Sequence, residues 1–368
     1  MNFELTEEQQ LLRDVTRDVL SRNYDIARYN EIVAGEPGWS PEVWSQLAEV
    51  GLLGLGFDPA EAGQIEVMVV MTEVGRRLTP EPVAQAALIP GALIAEAGTD
   101  EQKAILDDVS SGALLLAFAH AEPGARVTGD ELSTKAEKSG DSWTLTGRKN
   151  PVLAGDSAGT LIVSAALPGG GTGLFLVDGD AATRHPYRTF DGRRGAQLDL
   201  DSTPATPLGD GGDATEHIAR TVIRHQSALC AEAVGAMAEA LRLTTGYLGE
   251  RKQFGVPLSN FQTLTQRAAD MYVSLELAQS MSFYAAMSIA DGVFDPVVAA
   301  RAKLQIGRSG RHIAQESIQL HGGIGMTAEY PVGHYAARLT AIDNTFGTAD
   351  DQLRVLVDHI GDYATVSL

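Results

Sequence analysis

The chain has 368 residues, 44% of them hydrophobic and 21% charged, which is long enough for a large core divided among two or three domains and too apolar for a disordered chain. Asp and Glu outnumber Lys and Arg by 48 to 28, and the resulting net charge of −20 argues against a phosphate-tracking basic face, hence against nucleic acid as a partner. A single cysteine, Cys230, rules out a disulfide within the chain and argues against a thiolate metal site; its Ala-rich surroundings point to a buried structural thiol.

The opening MNFELTEEQQLLRDVTRDVL carries acids from the fourth residue and has no long apolar run, so neither a signal peptide nor a membrane anchor is expected and a cytoplasmic protein is. Thr6 with Gln9 has the capping-box pattern, and Leu11, Leu12, Val15 and Val19 recur at helical spacing, predicting an amphipathic helix with those four on its apolar face. Residues 1–112 stay helical in pattern, with runs such as VWSQLAEVGLLGLG and EVMVVMTEVGRRL broken by Gly and Pro clusters near 35–41 and 79–82. Over 113–210 the period changes: WTLTGRKN, GTLIVSAAL, GLFLVDGD and AQLDLDS are short β-rich or alternating runs separated by turn residues, predicting a small β domain. Within it, GGGTG at 169–173 opens onto another strand rather than a helix and is read as a hairpin turn, not a phosphate loop. Residues 211–368 return to long Ala-, Leu- and Met-rich helical segments, predicted as a helical-bundle domain. The fold class is therefore α+β, in the order helix, β, helix. The eight histidines, at 120, 185, 217, 225, 312, 321, 334 and 359, show no ligand spacing, so no zinc or iron site is expected.

Four stretches carry a resemblance. AEPGARVTGD, from Ala121, looks like a T-E-P-G-x-G-S-D loop, and GDSWTLTGRKNPVLAG, from Gly140, like a G-x-x-W/Y-x-I-x-G-x-K-x-W-I-T strand. ERKQFGVPLSNFQ, from Glu250, matches R-x-x-F-G…Q, and QLHGG, from Gln319, is followed at matching spacing by Tyr330–Pro331 and Gly347–Thr348. Together, in this order and over nearly the whole length, they resemble the acyl-CoA dehydrogenases.

The resemblance implies that family's fold and FAD, and a chemistry in which a carboxylate removes the α-proton of an acyl-CoA while a hydride leaves the β-carbon for the flavin. Here it also implies losses. The family's glutamate base falls on Phe346, the alternative base position on Ile223, and neither side chain accepts a proton. Glu216 stands two helical turns, ~10 Å, before Ile223, and Asp343 and Asp350 flank Phe346 on other faces. Groups that hold the flavin ring fall on Ala121, Arg126, Val127, Pro151 and Leu153. By contrast, the residues that in the family reach across a dimer interface to the adenine and pyrophosphate of a neighbour's FAD are kept as Arg251, Phe254, Gln262, Gln319, Gly322 and Gly323. Arg251 has the forked donor a pyrophosphate needs, and the glycine pair lets backbone N–H groups approach an anion; taken singly, the arginine reads as a cation at a helix end and the glycines as a helix cap. Arg193 and Arg194 are candidate contacts to CoA, with a solvated turn the preferred reading. The chain is thus most like the non-catalytic subunit of actinobacterial heteromeric (α2β2) steroid-side-chain acyl-CoA dehydrogenases, with a homologous catalytic partner binding the acyl-CoA and electron-transfer flavoprotein as acceptor. An active homotetramer with a relocated base and a non-enzymatic scaffold are the alternatives.

Overall fold

The computed structural model describes residues 4–124 and 132–362. Seven helices precede the strands: α1 (Glu7–Asn23), α2 (Ile26–Ala34), α3 (Pro41–Glu49), α4 (Gln64–Arg76), α5 (Ile89–Ala97) and the short α6 (Asp100–Lys103) and α7 (Leu106–Ser110). At the start of α1 the Gln9 N–H donates to Thr6 Oγ1 at 3.2 Å and the Thr6 N–H to Gln9 Oε1 at 3.0 Å, so the capping box forms. Its buried face differs from the predicted one: Thr16, Leu20 and Asn23 are buried, Leu12 and Val19 half-buried, and Leu11 and Val15 exposed. Thr16 donates to the Leu12 carbonyl (2.7 Å) and Asn23 to that of Val19 (2.9 Å). Polar side chains satisfied by their own helix go inside without looking apolar in sequence.

The chain forms two compact units, the first comprising Met1–Asn30, Met68–Thr79 and Gln226–Leu368, the second Glu31–Val67 and Pro80–His225. The second unit is built on seven strands, β1 (Leu116–Ala119), β2 (Lys135–Ser139), β3 (Ser142–Leu153), β4 (Thr160–Ala166), β5 (Thr172–Asp178), β6 (Thr183–Arg188) and β7 (Arg194–Pro207). Their order is β1-β4-β2-β3-β7-β5, with β6 on β7 and a further β4–β5 pairing that closes the path on itself. Alternate residues such as Leu145, Leu161, Val163, Phe175, Val177 and Leu198 fill its core. Residues 169–173 join antiparallel β4 and β5, as the hairpin reading required. Arg194, however, is no solvated turn residue: it donates to the Gly35 carbonyl at 2.6 Å, pairs with Glu36 at 2.9 Å and lies against Gly38, where a Cβ would come within 2.6 Å of its Nε.

The first unit is helical apart from one small ribbon. α8 (Thr215–Glu250), of which it contains the part from Gln226, is followed by β8 (Lys252–Gln253), β9 (Val256–Pro257), α9 (Gln262–Ala290), α10 (Pro296–His321), α11 (Val332–Asn344) and α12 (Ala349–Asp358). α4 and α8 cross with their backbones touching. A Cβ on Gly75 would stand 1.8 Å from the Glu232 carbonyl oxygen, and one on Gly235 1.8 Å from that of Thr72, so each glycine makes room for the other helix. Beside this crossing Glu232 receives both arms of the buried Arg338 guanidinium at 2.7 Å, and the Tyr335 hydroxyl donates to the Arg76 carbonyl at 2.6 Å. Cys230 is buried in α8, and burial pushes its thiol up to about 12, which makes it inert as a nucleophile. Among the described residues no helix is long and apolar enough to cross a membrane, and no group of His, Cys, Asp or Glu is arranged to hold a metal.

Candidate functional site

Where α8 runs out, the Arg251 N–H closes its last turn on the Tyr247 carbonyl (2.8 Å), and β8 and β9 fold back through Phe254 and Gly255. Both turn residues have positive φ, 56° and 87°, as a tight two-residue hairpin loop demands. Glycine adopts this freely, whereas a phenylalanine held there costs about 1–2 kcal/mol. Phe254 is nevertheless 91% exposed, its ring meeting only the edge of Phe261 at 6.1 Å. Arg251 and Gln262 are exposed on the same segment, Gln262 opening α9, and Arg251 carries no ion pair among the described residues.

The second half of the candidate clamp ends α10. Gly322 caps the helix at φ 64°, ψ −140°, a conformation that excludes a side chain, and neither Gly322 nor Gly323 has any atom within 4 Å of where a Cβ would stand. Gln319 and both glycines are exposed, and so are Ile324 and Met326 beyond them. The two halves are linked by a ring contact that the sequence reading passed over. His321, buried, lies 4.6 Å from Tyr247, the residue one turn before Arg251, and 4.9 Å from Tyr330. Its Nδ1 is 2.7 Å from the Ser317 carbonyl and its Nε2 3.2 Å from the Tyr330 hydroxyl. Its place directly before the glycine pair was the available signal.

At the position the resemblance implies for the base, Phe346 is half-buried, at φ 56°, in the turn between α11 and α12. Its carbonyl accepts from the Gln226 and Gln352 amides at 3.1 and 2.9 Å. The neighbouring acids are engaged or turned to solvent. Asp343 accepts from the Ala349 N–H at 3.1 Å, and Asp350 is exposed on α12. In the second unit, Ile223 is buried in α8, Glu216 is exposed and paired with Arg220, and Arg224 binds Glu96 at 2.5 Å.

Of the positions implied to face a flavin ring, Ala121 and Leu153 are half-buried and Pro151 is exposed, on or beside the strands of the second unit; Arg126 and Val127 lie outside the described residues. Next to Ala121 is a buried charge network. Lys149 donates to Glu122 (2.8 Å), to the His120 carbonyl (3.1 Å) and to Ser164 (3.2 Å), while Glu122 also accepts from the N–H groups of Ser133 and Thr134 at 2.7 and 3.0 Å. Burial would raise the Glu122 carboxyl, but these donors, Lys149 first, hold it down at about 2; burial brings Lys149 to about 8 against the pull of Glu122, and burial with Lys149 beside it takes His120 to about 4. The network is closed on itself and ties residues 120–122 to 133–134.

The donor sets can be compared with what FAD requires. A pyrophosphate needs a forked cation and a backbone it can approach closely; Arg251 offers the fork and the exposed Gly322–Gly323 turn the unobstructed backbone. The Gly322 N–H is itself donated to the Gln319 and Ile318 carbonyls, so the fit of this half rests on Arg251 and on the steric openness of the turn. An isoalloxazine ring needs hydrogen-bond partners at its edge, and of the positions the resemblance implies Ala121, Pro151 and Leu153 carry no side-chain donor, so these three do not fit the ring.

Two family models match: "Acyl-CoA dehydrogenase, N-terminal domain" over residues 6–113 and "Acyl-CoA dehydrogenase, C-terminal domain" over 218–361. The probable acyl-CoA dehydrogenase YngJ of Bacillus subtilis is 28% identical over 97% of this chain and 98% of its own. A variant of the Tcur3481-Tcur3483 steroid ACAD is similar in structure, with TM-score 0.89 and 32% identity over 97% of this chain and 98% of that one. The ChsE4-ChsE5 complex from Mycobacterium tuberculosis shares the fold at TM-score 0.90 and 22% identity, over 99% of this chain and 100% of that one. FAD is the cofactor of this family. With its helix, β, helix order and these matches along its length, the chain belongs to the acyl-CoA dehydrogenase family.

Proposed function

We propose that this chain is the non-catalytic subunit of a heteromeric acyl-CoA dehydrogenase that desaturates an acyl-CoA thioester between its α- and β-carbons. The observation that carries the reading is a combination within one chain: Phe346 at the base position, and an Arg251–Phe254 hairpin left wholly uncovered. A phenyl ring takes no proton, and a phenylalanine held at positive φ and exposed to solvent is a backbone cost that contact with a neighbouring molecule would offset. In the complex a homologous partner supplies the carboxylate, the flavin-ring pocket and the acyl site, and FAD bound there accepts the hydride. This chain's part is to grip the adenine and pyrophosphate through Arg251, Phe254, Gln262, Gln319 and the Gly322–Gly323 turn. The homotetramer with a relocated base finds no support, since Asp343 is tied to the α12 N-terminus.

A polycyclic acyl group is the substrate class we favour, because fewer active sites per tetramer leave more room for each and because a similar structure is a steroid ACAD. Electron-transfer flavoprotein is the matching acceptor and the cytoplasm the matching compartment. The test is to purify the chain alone and co-expressed with its homologous partner, and to record flavin absorbance and acyl-CoA-dependent dye reduction. The expected result is a colourless, inactive single chain and a yellow, active complex with one FAD per partner chain. Flavin and activity in the single chain would establish the homotetramer, and a chain that never acquires flavin with any partner would establish the scaffold.

A further inference from the structure

The proposed function gives His321 no task, yet this ring adjoins the glycine turn and packs on the last turn of α8, from which the Arg251 hairpin leaves. On one side it packs on Tyr247, whose carbonyl receives the Arg251 N–H. On the other it is the last residue of α10 before Gly322 and reaches Tyr330, which itself lies 6.4 Å from Tyr247, so the three rings form one cluster. The hydrogen bonds assign its neutral form. A carbonyl only accepts, so the 2.7 Å contact with Ser317 places a proton on Nδ1; Nε2 is then the acceptor, and the Tyr330 hydroxyl donates to it. One ring thereby joins the last turn of α10, the segment beyond the glycine turn and the end of α8.

We propose that His321 is a positioning residue that holds the Arg251–Phe254 hairpin and the Gly322–Gly323 turn in a single geometry suited to the pyrophosphate of FAD. The inference rests on the clamp reading given above. It carries a pH dependence. Burial keeps the imidazole below its ordinary value of 6.5, outweighing the Ser317 and Leu243 carbonyls that favour the charged ring. The groups facing the cluster are Tyr247, Glu250 and Arg242 from α8, the last paired with Glu239, and Tyr330 from the segment before α11. A group with a lowered value contributes fully above 6.5, and its contribution is lost as pH falls through the lowered value. On protonation Nε2 becomes a donor, so the Tyr330 hydroxyl must turn from donating to accepting and the network is reoriented.

The experiment titrates FAD into the flavin-stripped complex of this chain with its partner from pH 5 to 8, for wild type, His321→Phe, Tyr330→Phe and Arg251→Ala. His321→Phe keeps the ring stack and removes both polar contacts; Tyr330→Phe removes one hydroxyl only and guards against a variant that fails to fold. The expected result is a wild-type Kd for FAD that rises as pH falls below 6.5, and variants at 321 and 330 that bind ~5–10-fold more weakly at pH 8 with a flattened profile. Amide exchange at residues 322–326, measured on this chain alone, should quicken in Tyr330→Phe. If Arg251→Ala weakens FAD while the 321 and 330 variants match wild type in Kd, profile and exchange, the positioning role is overturned and the clamp stands. If Arg251→Ala also matches wild type, both are overturned.

Discussion

Replacement of Arg251 by alanine tests the trans contact most directly, because its effect on cofactor binding separates from any effect on the fold. The guanidinium is exposed and unpaired among the described residues, and the segment is held by backbone bonds, from Arg251 N–H to the Tyr247 carbonyl and from Leu258 N–H to the Arg251 carbonyl, both 2.8 Å. The substitution leaves those bonds in place, so its cost to this chain's stability is about 0.5 kcal/mol or less, as for other exposed positions. A charge-assisted forked contact to a pyrophosphate is worth about 1.5–3 kcal/mol, and at ~1.4 kcal/mol per decade its loss weakens FAD binding by roughly 10- to 150-fold. Arg251→Lys restores the charge but not the fork and should recover only part of this. The assay is bound FAD per complex against added FAD, at equal complex concentration, with sedimentation to confirm that assembly survives. Equal occupancy of wild type and Arg251→Ala across the titration would refute the contact and leave the scaffold reading in its place.

Phe346→Glu in the isolated chain should reduce no dye in the presence of acyl-CoA, since Ala121, Pro151 and Leu153 still give a flavin ring nothing to bond; robust turnover by this single mutant would overturn the reading of the ring side. Gly235→Ala places a methyl 1.8 Å from the Thr72 oxygen and 2.8 Å from the Arg76 nitrogen, both backbone atoms that cannot swing aside, so denaturant unfolding should show a loss of at least ~3 kcal/mol. Glu122→Gln strips the buried Lys149 ammonium of its counter-charge and should cost about 3–5 kcal/mol at neutral pH. Because Glu122 is held at about 2 against an ordinary 4.5, the wild type should lose stability as pH falls from 4.5 toward 2, and the variant should lack that acid limb in a pH series of melting curves.

The capping box at Thr6, the hairpin at 169–173 and the inert Cys230 were legible in the sequence because each depends on a few adjacent residues whose chemistry admits one local arrangement. The inner face of α1 was not, since Thr16 and Asn23 are buried through bonds to their own helix that a hydrophobic pattern does not register. Arg194 was missed for a related reason. An arginine pair in a turn reads as solvated, and only the fold brings the Gly35 carbonyl to it from a point 159 residues away. Within the candidate site the motifs located Arg251 and the glycine turn, but not that one histidine joins them. Tyr247, His321 and Tyr330 belong to three separate segments, and sequence spacing carries no information about rings that meet through the packing of helices.

How an apolar residue can occupy a base position in an otherwise orderly turn follows from what holds the turn. Phe346 and Gly347 both have positive φ, and the carbonyls of the segment are held by several side chains. Gln226 and Gln352 bind the Phe346 oxygen, the fully buried Lys303 ammonium donates to the Ile342 and Asp343 oxygens at 2.6 and 3.1 Å, and Thr348 with Asp351 closes a capping box on α12. These contacts hold the backbone of the turn and do not require an acid at position 346. Phe254 is exposed at a strained φ, with Phe261 at its edge, and the Arg251 guanidinium is unpaired among the described residues, so the two side chains add little to this chain's stability. On the proposed reading, a chain with a phenylalanine where the resemblance implies a proton acceptor, and with an exposed arginine and phenylalanine at the end of a long helix, has the residues needed to complete another chain's site rather than to run its own.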